Sequence, residues 1–142
     1  MIVVGVDFSD GSAAAATVAL LMAAKQREPV HMIHVCASYG FDERSQLDSD
    51  EWLERLDLLP ADVEVRAGVP WVELVRAAGQ RDASFLIAGT HGLTGAQPLR
   101  LGTTAALVAL RSPTPVVLVP QVRQTGLPVS RAGTNAIEER QK

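Results

Sequence analysis

The sequence contains little of what several protein classes require. Its 142 residues include one cysteine, Cys36, so an internal disulfide is excluded and a reducing compartment is compatible. No run approaches the roughly 18 consecutive apolar residues of a membrane span. The first residues also lack the charged region and the cleavage site of a signal peptide. We therefore expect a cytoplasmic chain that has no membrane partner.

Basic and aromatic residues are scarce as well. Thirteen Lys and Arg residues against sixteen Asp and Glu residues give a net charge of −3, and no basic block is present. Nucleic acid is therefore not an expected partner. Because only 4% of the residues are aromatic, the core must come from Val, Leu, Ile and Ala. The hydrophobic fraction of 47% is sufficient for one core, and this mixture is typical of alternating strands and helices.

Five short apolar segments alternate with four helical segments along the chain. The β-branched and apolar runs predict strands at 2–6, 30–36, 62–67, 84–88 and 116–120. Capping and periodicity signals predict helices from about 10 to 27, within 41–59, from 70 to about 79, and from about 103 to 111. For the second helix, the weak apolar face is assigned to Leu47, Trp52, Leu56 and Leu59. The alternation predicts an α/β fold, an open, doubly wound, Rossmann-like sheet of five parallel strands with helices on both faces.

The composition changes after residue 120. Residues 1–120 are predicted to form one domain, because they carry the whole strand and helix series. Residues 121–142 have few apolar positions and include Gly126, Pro128 and Gly133. We expect this segment to be a mobile C-terminal tail.

The segment from Gly89 to Thr104 is the main candidate for a binding site. Open α/β sheets bind ligands beyond the carboxyl ends of their strands, and this segment leads from the fourth strand into the fourth helix. Free amides near Gly102, Thr103 and Thr104, together with the helix dipole, would hold a polyphosphate. A simple glycine turn is the alternative. His91 and Arg100 are interpreted as surface residues rather than phosphate ligands.

At these positions the sequence resembles the universal stress protein family. Gly89, Gly92, Gly102 and Thr103 match that family's ATP-binding signature: glycine, two residues, glycine, nine residues, glycine, then serine or threonine. The resemblance extends over residues 1–120, through three further segments: Gly5-Val6-Asp7, His34-Val35 and the run from Pro115 to Pro120. Two departures are Ser84, where an aspartate often stands, and Gln97-Pro98 inside the glycine-rich loop.

The resemblance implies a fold like that of the adenine nucleotide alpha hydrolases and a site for ATP or another adenine nucleotide, with Mg²⁺ as a candidate companion ion. In that family the aspartate that ends the first strand approaches the adenine, a role that would fall on Asp7. The end of the second strand completes the base pocket, a role that would fall on Val35. Asp7 has a second interpretation as a cap of the first helix, and the two roles are compatible.

The function predicted on this basis is that of an ATP-binding regulatory protein of the stress response with little or no hydrolysis. No Gly-Lys dipeptide occurs, so a P-loop kinase or ATPase is excluded. The loop also lacks a lysine and a convincing general base. Two alternatives stay open: a nucleotide-free dimeric adaptor of the same fold and a slow ATPase.

We expect no metal site. His31 and His34 point to opposite faces of one strand, so they form no ligand cluster with Cys36. Trp52 and Trp71 are interpreted as packing anchors.

We expect a homodimer. An uncharged strand that lies at a sheet edge in the family's strand order invites antiparallel pairing with a second copy. That strand consists of Val116, Val117, Leu118 and Val119. A tail that folds back over the edge is the alternative.

Overall fold

The computed structural model describes residues 1–36, 43–58, 62–91 and 101–121. Within these ranges, strands and helices alternate in the predicted order. The strands are β1 (Ile2–Gly5), β2 (Val30–Cys36), β3 (Val63–Ala67), β4 (Phe85–Gly89) and β5 (Val116–Val119). The helices are α1 (Asp10–Gln26), α2 (Glu43–Arg55), α3 (Pro70–Gln80) and α4 (Thr103–Arg111).

All five strands join one parallel sheet in the order β3-β2-β1-β4-β5. The central strand is β1, in which Ile2 pairs with Val30 on one side and with Phe85 on the other. Along the chain, β2 and β3 extend the sheet from β1 to one edge, and β4 and β5 then extend it from the other side of β1 to the opposite edge. The predicted open, doubly wound fold class is confirmed, and β5 lies at an edge as expected.

The sheet separates two apolar layers because successive strand residues face opposite sides. In β1, Ile2 and Val4 pack in the layer of α1 and α2, whereas Val3 packs in the layer of α3 and α4. The first layer contains small helix residues that let α1 approach the sheet closely, namely Ala15, Ala16, Ala19 and Ala23. The second layer contains Leu74, Ala77 and Ala78 of α3 and Val108 of α4.

Local signals fix the start and end of α1. Its N-cap is Ser9, whose Oγ accepts a hydrogen bond from the backbone N–H of Ser12 at 3.1 Å. The helix ends at Arg27, which adopts a left-handed conformation with φ of 55°, two residues before Pro29. These are the capping and breaking positions that the sequence predicts.

The predicted apolar face of α2 is wrong at one position. Leu47 is 56% exposed, whereas Trp52 is 1% exposed. Five residues correspond to about 140° around a helix, so Leu47 and Trp52 cannot share a face. The buried face consists instead of Ser49, Trp52 and Leu53, with Leu56 packing just after the helix ends. Leu59 lies outside the described residues.

Two further expectations stay predictions. Apart from Gln121, the predicted tail lies outside the described residues, so the division at residue 120 is untested. No helix in the described part of the chain is long and apolar enough to cross a membrane. The cytoplasmic location also stays a prediction.

Candidate functional site

A cavity of about 370 Å³ lies at the carboxyl ends of β1, β2 and β4, beside the first turns of α3 and α4. It sits where the chain order of the sheet reverses around β1, which is the usual ligand position in open α/β sheets. The lining residues come from all of these elements: Gly5, Val6, Asp7, Ser12, Ile33, Val35, Pro70, Leu74, Ala88, Gly89, Thr90, His91, Gly102, Thr103, Thr104 and Ala105.

The cavity brings together residues that the sequence places far apart. Six of the seven predicted site residues line it: Asp7, Val35, Gly89, Gly102, Thr103 and Thr104. The seventh, Gly92, lies outside the described residues, as does Arg100. His91 also lines the cavity and is half-buried, and its interpretation as a surface residue rather than a phosphate ligand stays a prediction. Its Nδ1 lies 3.0 Å from the Thr90 hydroxyl, which holds the ring against the end of β4.

Asp7 is held by the start of α1. Its backbone N–H donates to Ser12 Oγ at 3.2 Å, and its own Oδ1 accepts from the Ser9 N–H at 3.0 Å. The cap of α1 is therefore Ser9, and Asp7 supports the turn that precedes the cap. The interpretation of Asp7 as the cap itself is therefore wrong, whereas its role in the turn before the cap is compatible with its place in the cavity lining.

Two of the predicted glycines lie where backbone segments meet. A Cβ added to Gly89 would lie 3.0 Å from the Gly11 carbonyl oxygen, and one added to Gly102 would lie 3.1 Å from the Thr90 carbonyl oxygen. The Gly102 N–H donates to that same Thr90 oxygen at 2.7 Å. The expectation of a free Gly102 amide is therefore wrong, because its hydrogen bond ties the start of α4 to the end of β4.

The amide donors at this rim belong to helix starts. Gly102 is the N-cap of α4 and has no side-chain cap bond, as is also true of Val69, the N-cap of α3. The first-turn N–H groups of a helix have no acceptor within the helix, and they carry the positive end of its dipole. Thr103 and Thr104 add hydroxyl groups to the α4 start. This rim is suited to an anionic group.

The rest of the lining is apolar. Ile33 and Val35 of β2 and Pro70 and Leu74 of α3 line the cavity, and Ala88 and Ala105 contribute small surfaces. Sequence reasoning assigned none of these except Val35 to the site. The signal available for Leu74 was its place near the start of the apolar stripe of α3. An apolar wall beside an anion-binding rim suits a ligand that has both kinds of surface.

Charged side chains are few at the cavity. Among the described lining residues, Asp7 carries a charge, His91 can acquire one, and there is no Lys or Arg. The described residues also contain no group of three His, Cys, Asp or Glu side chains placed to hold a metal ion. Of the candidates weighed from the sequence, His31 bonds to Glu64 and His34 bonds to the Val6 carbonyl.

Solved structures that superpose on this fold include several universal stress proteins. A universal stress protein in complex with cAMP is 30% identical and superposes with a TM-score of 0.62, covering 83% of this chain and 94% of that chain. A universal stress protein from Archaeoglobus fulgidus in complex with dAMP is 24% identical, with a TM-score of 0.60 and coverage of 83% and 95%. One from Lactobacillus plantarum is 22% identical, with a TM-score of 0.61 and the same coverage.

A search of curated protein sequences gives no significant match. A family model, in contrast, matches most of the chain. The model of the universal stress protein family matches residues 1–120, a span that includes all nine strands and helices of the described fold and every described residue of the cavity. The chain belongs to the universal stress protein family.

Proposed function

We propose that this chain is a regulatory protein of the stress response that binds an adenine nucleotide, ATP foremost, in the cavity. The observation that carries the proposal is the convergence of Asp7, Val35, Gly89, Gly102, Thr103 and Thr104 on one cavity. The relative in complex with cAMP and the relative in complex with dAMP support the adenine class of ligand.

The two kinds of cavity surface match the two ends of a nucleotide. The base lies against the apolar wall, near Val35 and the Asp7 carboxylate. The phosphates lie at the start of α4, where amides and the hydroxyls of Thr103 and Thr104 donate to them. Gly92 belongs to the same proposed phosphate site. Any Mg²⁺ enters bound to the phosphates, because phosphate oxygens are preferred ligands of this ion.

The proposed function depends on occupancy rather than turnover. Rapid phosphoryl transfer needs positive charge at the transferred group and a residue that orients the attacking nucleophile. The described lining has no Lys or Arg, and His91 is engaged by the Thr90 hydroxyl. We therefore expect little or no hydrolysis, and a turnover above about 1 s⁻¹ would favour an enzyme instead.

Calorimetric titration of the full chain with Mg-ATP tests the proposal. We expect saturable binding, and we expect Gly102→Val to weaken it by at least about tenfold, because a branched side chain displaces Thr90 and enters the phosphate site. Gly79→Ala is the matched control, since Gly79 is exposed on α3 with no heavy atom within 4 Å of an added Cβ. Titrations with AMP and cAMP identify the preferred nucleotide.

Two results would contradict the proposal. The first is a wild-type chain that binds no adenine nucleotide, which would favour the nucleotide-free adaptor. The second is a folded Gly102→Val variant that binds Mg-ATP as tightly as the wild type. Mass analysis of any nucleotide released from the purified, denatured protein provides an independent check.

We also propose that the chain forms a homodimer through β5. The support is the edge position of this strand and the absence of a charged residue along Val116–Val119. Antiparallel pairing of β5 from two copies, related by twofold symmetry, would provide hydrogen-bond partners for the outward backbone N–H and C=O groups of both edges.

A further inference from the structure

The connection between β1 and α1 is held by two side chains from other elements. The Nδ1 atom of His34 lies 2.8 Å from the Val6 carbonyl oxygen, and because a carbonyl can only accept, Nδ1 carries the proton. The indole N–H of Trp52 donates to the Ser9 carbonyl oxygen at 3.1 Å. These two hydrogen bonds fix the backbone on either side of Asp7.

Phe8, the residue after Asp7, shows that this connection is tightly determined. Its φ of 62° lies in the left-handed region, which a bulky residue occupies only when its surroundings impose it. Its ring lies 4.6 Å from the His34 ring and 5.6 Å from the Trp52 ring, the latter in an edge-to-face arrangement. The same two side chains therefore hold both the backbone and the ring of this connection.

We propose that Trp52, acting together with Phe8 and His34, is a positioning residue of the nucleotide site that fixes Asp7 for contact with the base. This inference rests on the proposed function. Trp52 is on α2, which contributes no described residue to the cavity lining, and its indole hydrogen bond to Ser9 links it to the β1–α1 connection. The packing role predicted from the sequence is confirmed by its burial. The directed indole hydrogen bond is the additional feature that points to positioning.

Trp52→Phe separates positioning from packing, because it keeps an aromatic ring and removes the N–H donor. We expect this variant to bind ATP about three- to tenfold more weakly, the range that one lost hydrogen bond represents. The ratio of ATP affinity to GTP affinity should fall as well, because the contact that is loosened is the one to the base. Trp71→Phe is the matched control, and we expect it to leave both values unchanged.

A double-mutant cycle with Asp7→Asn tests whether Trp52 acts through Asp7. If it does, Trp52→Phe should cause little further loss of ATP affinity when Asp7 is already replaced. A purely structural effect would instead weaken ATP binding by the same factor in both backgrounds. If Asp7→Asn binds too weakly to measure, the ATP to GTP ratio of the single Trp52→Phe variant decides.

His34 supplies a second pair of variants in case Trp52→Phe fails to fold, which circular dichroism would reveal. His34→Leu removes the donor to the Val6 carbonyl, whereas His34→Asn keeps a side-chain N–H near the Nδ1 position. We expect the Leu variant to lose base selectivity and the Asn variant to recover most of it.

The outcomes separate this inference from the proposed function. A wild-type chain that binds no adenine nucleotide overturns both. A wild-type chain that binds ATP, combined with folded Trp52→Phe and His34→Leu variants of unchanged affinity and selectivity, overturns the positioning role alone. Equal losses for Trp52→Phe in the wild-type and Asp7→Asn backgrounds also overturn it.

Discussion

Backbone meets backbone at Gly11, where the first turn of α1 lies against the end of β4. A Cβ added to Gly11 would lie 2.5 Å from the His91 carbonyl oxygen. Alanine normally stabilises a helix relative to glycine by about 1 kcal/mol. Here the overlap forces either α1 or the end of β4 to move, so we expect Gly11→Ala to destabilise the fold by about 1–3 kcal/mol, measured by urea unfolding.

The same substitution at Gly79 provides the control. Gly79 is exposed within α3, and an added Cβ would meet nothing within 4 Å. Gly79→Ala should therefore raise the free energy of unfolding by about 0.5–1 kcal/mol. Because the chemical change is identical, the difference between the two variants measures the crowding at Gly11. Equal stabilisation by both substitutions would show that α1 and β4 can separate without cost.

Among the elements, β3 and α3 are joined by ion pairs around Glu64. This carboxylate accepts from His31 Nε2 at 2.8 Å and from Arg66 Nε at 3.0 Å, and Arg81 Nη2 lies 3.8 Å away. The hydrogen bond from His31, followed by the bond to Arg66, lowers the pKa of Glu64 below its ordinary value of 4.5. A carboxyl group whose pKa is lower in the folded state stabilises the fold above the unfolded pKa, and this contribution is lost as the pH falls through the folded pKa.

The fold should accordingly lose stability as the pH falls below about 4.5, and Glu64→Gln should make that loss shallower. The dependence should not vanish, because the amino group of Met1 and the Ser84 hydroxyl also lower the pKa of Glu28. Urea unfolding between pH 3 and pH 7 measures both effects, and the exposed Glu54→Gln on α2 is the control. An unchanged pH profile for Glu64→Gln would show that the His31 and Arg66 bonds contribute nothing to stability.

Elements with strong local signals are the ones that the sequence predicts well. The β-branched runs of β1 and β5, the Ser9 cap and Pro70 at the start of α3 each act within a few residues, so their positions follow from local chemistry. The buried face of α2 was assigned incorrectly at Leu47, because the acidic residues around it leave the apolar periodicity weak.

The contacts that complete the candidate site join separate segments and could not be predicted from local sequence patterns. The Gly102 amide bonds to Thr90, and the Trp52 indole bonds to Ser9, across segments that are distant in the chain. Nothing in either local pattern specifies such a partner. Glycine spacing therefore predicts where the cavity lies, whereas the occupied Gly102 amide and the role of Trp52 depend on tertiary packing.

At the scale of the whole molecule, the backbone of β5 makes the proposed dimer testable. The backbone N–H groups of Leu86 and Thr90 donate to the carbonyl oxygens of Pro115 and Val119. Every second residue of β5 bonds to β4 in this way, so Val116 and Leu118 direct their N–H groups to the outer edge of the sheet. Leu118→Pro removes one outward donor and leaves the bonds to β4 in place. We expect light scattering to show a dimer for the wild type and a monomer for this variant.

Leu118→Ala is the control, since it shortens the same side chain and keeps the N–H group. It should remain dimeric. Changes at Val117 are less informative, because Val117 packs against the layer of α1 and would disturb the core. A monomeric wild type at high concentration, or a Leu118→Pro variant that stays dimeric, would contradict pairing through β5.

The central position of β1 also determines when the parts of the molecule can fold during synthesis. Its pairing with β2 is possible once residue 36 has left the ribosome, whereas its pairing with β4 must wait for residues 85–87. The cavity has walls on both sides of β1 and extends to Ala105, so it can close only after Ala105 has left the ribosome. A ligand in this cavity can therefore stabilise a nascent chain only after most of the sheet has formed, and it cannot assist the first β–α–β unit.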